Sequence, residues 1–252
     1  MNSIKKKIYE DLEKMNIDTD DTLLIHSSYK SLGGSSPSAK EFLEILVNYL
    51  SKGTLLFPAL SYEFVLPKNP CFDNRKTASC VGYLPEVFRT QFDVVRSNHP
   101  THSVCATGKE AVSITHLHEM DETPCGNNSP FTLLPKYNGK ILMIGCGLKP
   151  NTFMHSVEEF VKPGYLFGER VKYSIIDDRG HYREKEYFTH GFKGYAQRYD
   201  KVINLNDSGW IIEGKILDAK CHLLDSNKLR ELSIKKMKVN KNYFVEKIEN
   251  KA

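Results

Sequence analysis

Residues 141–159, Ile-Leu-Met-Ile-Gly-Cys-Gly-Leu-Lys-Pro-Asn-Thr-Phe-Met-His-Ser-Val-Glu-Glu, constrain the fold more than any other stretch of the chain. The apolar run 141–144 reads as a short strand. Gly145-Cys-Gly147 and Lys149-Pro150-Asn151 then turn the chain, and helical spacing follows. The spacing predicts a helix capped at Asn151 or Thr152 and stopped at Pro163-Gly164. Met154, Val157 and Val161 share one apolar stripe of it. His155, Glu158 and Lys162 fall on the neighbouring stripe, so the imidazole and the first carboxylate can meet. In open α/β sheets, ligands bind beyond the carboxyl ends of the strands, where this pair would sit. Spacing alone leaves two readings open: an acid–base pair at a ligand crevice, or an incidental pair on a capped surface helix.

The N-terminal part supplies a second unit of this kind. Residues 4–15 have the spacing of an amphipathic helix. Residues 22–25 read as a buried strand ending at His26-Ser27-Ser28. Ser38 and Glu41 fit a capping box for a helix whose apolar face is Phe42, Leu46, Tyr49 and Leu50. Lys52-Gly53 closes it before a strand at 54–60, which predicts a right-handed parallel crossover. In its first loop, Ser27, Ser28, Gly33 and Gly34 offer hydroxyls and unshielded N–H groups near a helix start, a recipe for holding a phosphate. The loop matches neither Walker A nor Gly-x-Gly-x-x-Gly, so a flexible connector is the other reading.

Residues 61–79 lack periodicity and read as an irregular excursion. A helix is expected at 82–92. The segment 94–106 packs two histidines, two serines and Arg96 around Pro100, between two strands. A short helix at 109–117 leads to the polar loop 118–130. Its carboxylates Glu119, Asp121 and Glu122 form either a solvated loop or an acidic rim for a cationic substrate. Ser129-Pro130 opens a helix running to about Tyr137. Beyond Gly164, residues 170–176 and 181–188 alternate around Asp178-Arg-Gly180 as an antiparallel hairpin. Short elements follow at 196–205, 210–216 and 221–225, then a helix at 226–236. The expectation is an α/β fold: a mixed sheet with parallel strand–helix–strand units in the N-terminal part and antiparallel hairpins in the C-terminal third. No repeat or linker divides it, so residues 1–252 are expected to form a single domain.

Composition narrows the function. Net charge is +4, from 35 basic and 31 acidic side chains, too balanced to argue for nucleic acid. No run approaches the 18 apolar residues of a membrane span, and residues 1–10 lack the apolar core of a signal peptide. The six cysteines are scattered without a Cys-x-x-Cys pair. They read as reduced thiols of a cytoplasmic protein, with no metal site expected.

His26-Ser-Ser-Tyr-Lys-Ser-Leu-Gly33, Arg96-Ser-Asn-His-Pro-Thr-His-Ser103, Ser129-Pro130, and Gly145-Cys-Gly147 followed by Asn151-Thr-Phe-Met-His-Ser-Val-Glu158 occur in a fixed order. Together they closely resemble the antibiotic N-acetyltransferase family, typified by aminoglycoside 3-N-acetyltransferases. The likeness covers residues 20–165 well and the C-terminal third loosely. It implies an α/β fold distinct from the GNAT acetyltransferases. It also implies transfer of acetyl from acetyl-coenzyme A to a primary amine of an aminoglycoside or amino sugar. Carried over, His155 is the general base and Glu158 its orienting partner. His26, Ser27, Ser28, Lys30 and Gly33 would hold the cofactor, with Arg96, Ser97, His99 and Ser103. Glu119, Asp121 and Glu122 remain the candidate substrate-binding acids.

The excursion 61–81 looks shorter than its counterpart in resistance enzymes, which points away from a bulky antibiotic. An amino-sugar N-acetyltransferase of surface-polysaccharide synthesis is therefore the first alternative, and a non-catalytic binding protein of the same fold the second. A serine hydrolase is disfavoured because no Gly-x-Ser-x-Gly is present. The expected partner is a small-molecule amine, with no nucleic acid or membrane, and a homodimer is left open.

Overall fold

The computed structural model describes residues 3–248. The expected domain extent of 1–252 therefore includes residues 1–2 and 249–252, which lie outside the described residues. The chain begins with helix α1 (Ser3–Lys14), strand β1 (Thr22–Ser27), a 3-10 turn at Tyr29–Leu32, helix α2 (Ala39–Tyr49) and strand β2 (Thr54–Pro58). The α2 capping box forms as expected: the Ser38 hydroxyl accepts the Glu41 N–H, and the Glu41 carboxylate accepts the Ser38 N–H. Strand β3 (Cys71–Asp73), helix α3 (Tyr83–Gln91) and strands β4 (Val95–Arg96) and β5 (Val104–Gly108) follow. Next come α4 (Ala111–Thr115), α5 (Pro130–Leu133), β6 (Lys140–Ile144) and α6 (Met154–Val161). The C-terminal third holds β7 (Phe167–Ile176), β8 (Tyr182–His190), β9 (Tyr195–Gln197), β10 (Ile211–Ile216), β11 (Ala219–Asp225), α7 (Ser226–Val239) and β12 (Val245–Lys247).

The main sheet runs β10-β11-β6-β1-β2-β5-β4. Its centre, β6-β1-β2, is parallel, with Leu24 opposite both Leu56 and Ile141. Every other pair in it is antiparallel. The mixed α/β fold is as expected, including the parallel crossover through α2 and the β7–β8 hairpin. Alternation along the central strands divides the core. Leu23, Ile25, Phe57, Leu142 and Ile144 face α1, α2 and α3. Leu24, Leu56, Ile141 and Met143 face α6 and α7. The crossover of β1 thus covers one face and the helix after β6 covers the other. A crevice opens where two parallel neighbours send their connections to opposite faces, here at the carboxyl ends of β1 and β6.

Three expectations needed correction. The excursion 61–79 contains β3, which pairs parallel with β7; a three-residue strand carries no periodicity, and only its distant partner reveals it. The helix expected at 109–117 is confined to Ala111–Thr115. The helix after Ser129 changes at Leu134 into a 3-10 turn, Leu134–Tyr137, where Pro135 has no N–H for an α-helical bond.

Candidate active site

Strand β6 delivers the chain to Gly145, whose φ is 63°, and whose missing Cβ would lie 2.2 Å from the Ser31 Cβ. Only glycine fits both conditions. The Ser31 hydroxyl donates to the Gly145 carbonyl at 3.0 Å, tying the loop after β1 to the turn after β6. Asn151 Oδ1 then accepts the Phe153 N–H at 3.2 Å, and His26 Nε2 accepts the Thr152 N–H at 3.0 Å. The expected cap moves accordingly: Phe153 precedes the first residue of α6, and Asn151 and Thr152 brace the turn before it. Lys162, in the left-handed region at φ 53°, ends the helix ahead of Pro163.

Met154 and Val157 are buried in the core layer shared with α7. That fixes the roll of α6 and puts His155 in the wall of a cavity of about 800 Å³. Glu158 lies beneath it, fully buried. His155 Nδ1 is 3.1 Å from Glu158 Oε2 and 3.0 Å from the Tyr199 hydroxyl. Tyr199 donates its one proton to Glu158 Oε2 at 2.6 Å, and Tyr165 donates to Oε1 at 2.9 Å. Burial, and then the Glu158 charge, push the Tyr199 hydroxyl well above its ordinary pKa, so it remains a donor. Both neighbours of Nδ1 therefore accept, the ring proton sits on Nδ1, and Nε2 keeps its lone pair.

His102 and His190 complete this wall, with ring centroids 5.8 and 4.4 Å from that of His155. Burial, followed by repulsion from neighbouring imidazoles, holds both well below the usual histidine range. His190 Nε2 approaches Glu159 Oε1 at 3.5 Å but makes no hydrogen bond. Burial raises Glu159 to about 7, against hydrogen bonds from Thr123 and the Cys125 N–H. Among the described residues, His102, His155 and His190 are the group able to hold a metal ion, with one ring nitrogen from each within 4.8 Å of the others. Tetrahedral zinc, with Zn–N bonds of about 2.0–2.1 Å, needs its ligand nitrogens roughly 3.4 Å from each other. Pairs at the wide end of that spread would have to close up.

A sequence model of the aminoglycoside 3-N-acetyltransferase family matches residues 24–238. The chain belongs to this acyltransferase family. It is 26% identical, over 87% of this chain and 86% of the relative, to the SPbeta prophage-derived aminoglycoside N(3')-acetyltransferase-like protein YokD of Bacillus subtilis. It is 25% identical, over 69% of this chain and 66% of the relative, to aminoglycoside N(3)-acetyltransferase VII of Streptomyces paromomycinus. The crystal structure of YokD superposes with a TM-score of 0.82 at 25% identity, covering 95% of this chain and 94% of that one. The structure titled AAC-IIIb binary with CoASH gives 0.79 at 23% identity, covering 93% and 96%, which speaks for the fold. No helix among the described residues is long and apolar enough to cross a membrane.

Of the candidate catalytic, cofactor-binding and substrate-binding residues named from the sequence, only His155 lines the cavity, with Glu158 behind it. The segment 96–103 is a buried hub. Arg96 lies over the Phe72 ring and donates to the Ser103 hydroxyl and to the carbonyls of Asn74, Thr77 and Ala59. Those bonds take up four of its five N–H donors and remove it as a phosphate ligand. Ser103 also donates to the Ala59 carbonyl. Ser97 joins the His118 ring to the Val104 N–H. His99 Nδ1 accepts the Thr101 and His102 N–H groups. Thr101 and His102 are what this segment brings to the cavity.

Arg96→Ala should accordingly act on stability. It leaves the Asn74 and Thr77 carbonyls without their Arg96 donors, at about 1–3 kcal/mol each, and at roughly 2–4 °C per kcal/mol the melting temperature should fall by about 4 °C or more. Calorimetry showing an unchanged Tm would refute the hub.

The acidic loop needs a similar correction. Glu119 pairs with Arg183 at 2.6 Å and Glu122 pairs with Arg170. Asp121 accepts the Asn128 backbone and side-chain N–H groups. None of the three lines the cavity; they close their own loop and fasten it to the β7–β8 hairpin. In the loop after β1, Lys30 is exposed, the Ser28 N–H donates to the Ile144 carbonyl, and Gly33 packs against the Asp218 carboxylate. The Ser27 hydroxyl is buried without a partner. Sequence reasoning missed Tyr165, Tyr199 and His190. They lie beyond the matched motifs, and no local spacing links them to His155.

Proposed function

We infer that this protein is an acetyl-coenzyme A dependent N-acetyltransferase that modifies a primary amine on an aminoglycoside or amino sugar. His155 acts as general base and Glu158 as its orienting group. The observation that carries this reading is the buried Glu158–His155–Tyr199 cluster opening on the cavity. It is supported by the family and by the coenzyme-bound relative of the same fold. An ammonium group has no lone pair, so the acceptor needs a base positioned at the reacting nitrogen. His155 Nε2 supplies it, while Glu158 and Tyr199 hold the ring and stabilise the imidazolium as it forms.

The loop after β1 fits the proposed coenzyme. The Ser27 hydroxyl needs a partner, and the start of the nine-residue helix α3 adjoins it, with the Cβ position of Gly82 3.8 Å from the Ser27 carbonyl. Free N–H groups at a helix start attract anionic groups. Acetyl-coenzyme A would supply the activated acetyl thioester. Ser27 then donates a hydrogen bond, and Lys30 offers a cation at the loop surface.

Acetyl-coenzyme A should raise the melting temperature, by about 2.7 kcal/mol of linkage at 100 times its Kd. Ser27→Ala should reduce the shift measured at a fixed subsaturating concentration. Absence of any shift at millimolar coenzyme removes the acetyltransferase reading.

A further inference from the structure

Three imidazoles converge on the cavity from three separate elements. His155 lies in the first turn of α6, His102 in the connection between β4 and β5, and His190 at the end of β8. Their ring centroids are 4.4, 4.6 and 5.8 Å apart, and one nitrogen of each lies within 4.8 Å of the others. The elements are distant in the chain, so no local spacing announces the cluster. The acetyl transfer described above uses only His155 of the three, as a base, and draws nothing from a metal. It leaves His102 and His190 without a part. These rings oppose one another's protonation, which suits a metal, since a metal binds the neutral imidazole.

The surroundings orient the rings for such an ion. A ligating histidine characteristically donates its other ring N–H to a carboxylate or a similar acceptor. His155 Nδ1 has Glu158 at 3.1 Å, and His102 Nδ1 has the Thr101 hydroxyl at 2.9 Å, so Nε2 of both rings is available to a ligand. Glu159 Oε1 stands 3.5 Å from His190 Nε2. Two carboxylates behind the rings thus oppose the charge of a divalent cation. The nitrogens must draw in to reach the tetrahedral spacing of zinc. His190 Nε2 makes no hydrogen bond, so that ring can turn without breaking one there.

We propose that His102, His155 and His190 bind one zinc ion, which switches the acetyltransferase off. An all-imidazole set suits zinc and not magnesium or calcium, and the fourth position opens on the cavity. Zinc there takes the His155 Nε2 lone pair that the acceptor amine needs, and sets positive charge where an ammonium must approach. Binding stands on the cluster alone, whereas the inhibition rests on the N-acetyltransferase reading above.

Calorimetry of the full-length protein, stripped of metal and titrated with zinc chloride, should show one site with a Kd of about 1 μM or tighter. His190→Gln and His102→Ala should each weaken it by at least about tenfold; the half-buried His190 keeps the test alive where the His102 variant fails to fold. His181→Ala, which removes an exposed imidazole 3.1 Å from Asp177, should leave it unchanged. Acetyl transfer to kanamycin or glucosamine, followed by mass spectrometry because zinc also binds the released thiol, should fall about tenfold at free zinc of about ten times Kd and return with a chelator. Absence of one-site binding, or binding weakened by His181→Ala and not by His190→Gln, overturns the site. One-site binding with undiminished acetyl transfer overturns the switch. Acetylation of neither amine by the zinc-free protein, with no thermal shift from acetyl-coenzyme A, removes the acetyltransferase reading and the switch with it, while the calorimetry still decides the site.

Discussion

His155→Ala should lower kcat by about 10²–10⁴-fold, the usual worth of a positioned base, while leaving acetyl-coenzyme A affinity nearly intact. The lost interaction belongs to proton transfer in the transition state and not to ground-state binding. Glu158→Gln should lower kcat by less, because an amide still accepts from Nδ1 but cannot support the imidazolium as a carboxylate does. Tyr199→Phe removes the 2.6 Å donor to Glu158 and should fall between wild type and Glu158→Gln. The double variant His155→Ala/Glu158→Gln should be little worse than His155→Ala, since groups acting as one unit are not additive. A correctly folded His155→Ala protein with near-wild-type kcat would sink the mechanism.

Mild acid should unfold the protein. His26, His99, His102, His118 and His190 are buried and held neutral, principally by burial; for His26 and His118 the pKa falls to about 3 from an ordinary 6.5. A folded-state pKa below the unfolded one means that the unfolded chain binds protons first. The stability these groups contribute is therefore present above pH 6.5 and lost as pH falls toward 3. At pH 5 His26 and His118 each withdraw about 2 kcal/mol, roughly 4 kcal/mol together, against a typical total of 5–15 kcal/mol, and His99, His102 and His190 act in the same direction. Glu159 works the other way. Its pKa is raised to about 7, so its contribution is present at low pH and lost as pH rises through 7; it offsets about 3 kcal/mol at pH 5. The expected unfolding midpoint lies between pH 6.5 and 3, readable from the fluorescence of Trp210, the only tryptophan. A native signal persisting below pH 3 would show that these imidazoles protonate in place.

The sequence by itself determined what depends on neighbours a few residues apart. The capping box at Ser38, the crossover from β1 to β2, the hairpin after Gly164 and the pairing of His155 with Glu158 all follow from periods of two, three or four residues. The ordered motifs did more: they connected separate stretches through the family likeness and pointed to the base. Tertiary structure decided which polar groups face a ligand. Arg96, Ser97, His99 and Ser103 carry every chemical mark of an anion site, and so do Glu119, Asp121 and Glu122 of a cation site. Their partners lie elsewhere in the chain: Asn74 and Ala59 for Arg96, Arg183 and Arg170 for the acids. A side chain whose donors or charge are satisfied inside the fold has little left to offer a ligand, and local spacing does not record that satisfaction. The same physics hid Tyr199 and His190, which reach His155 only because the C-terminal third folds back over α6.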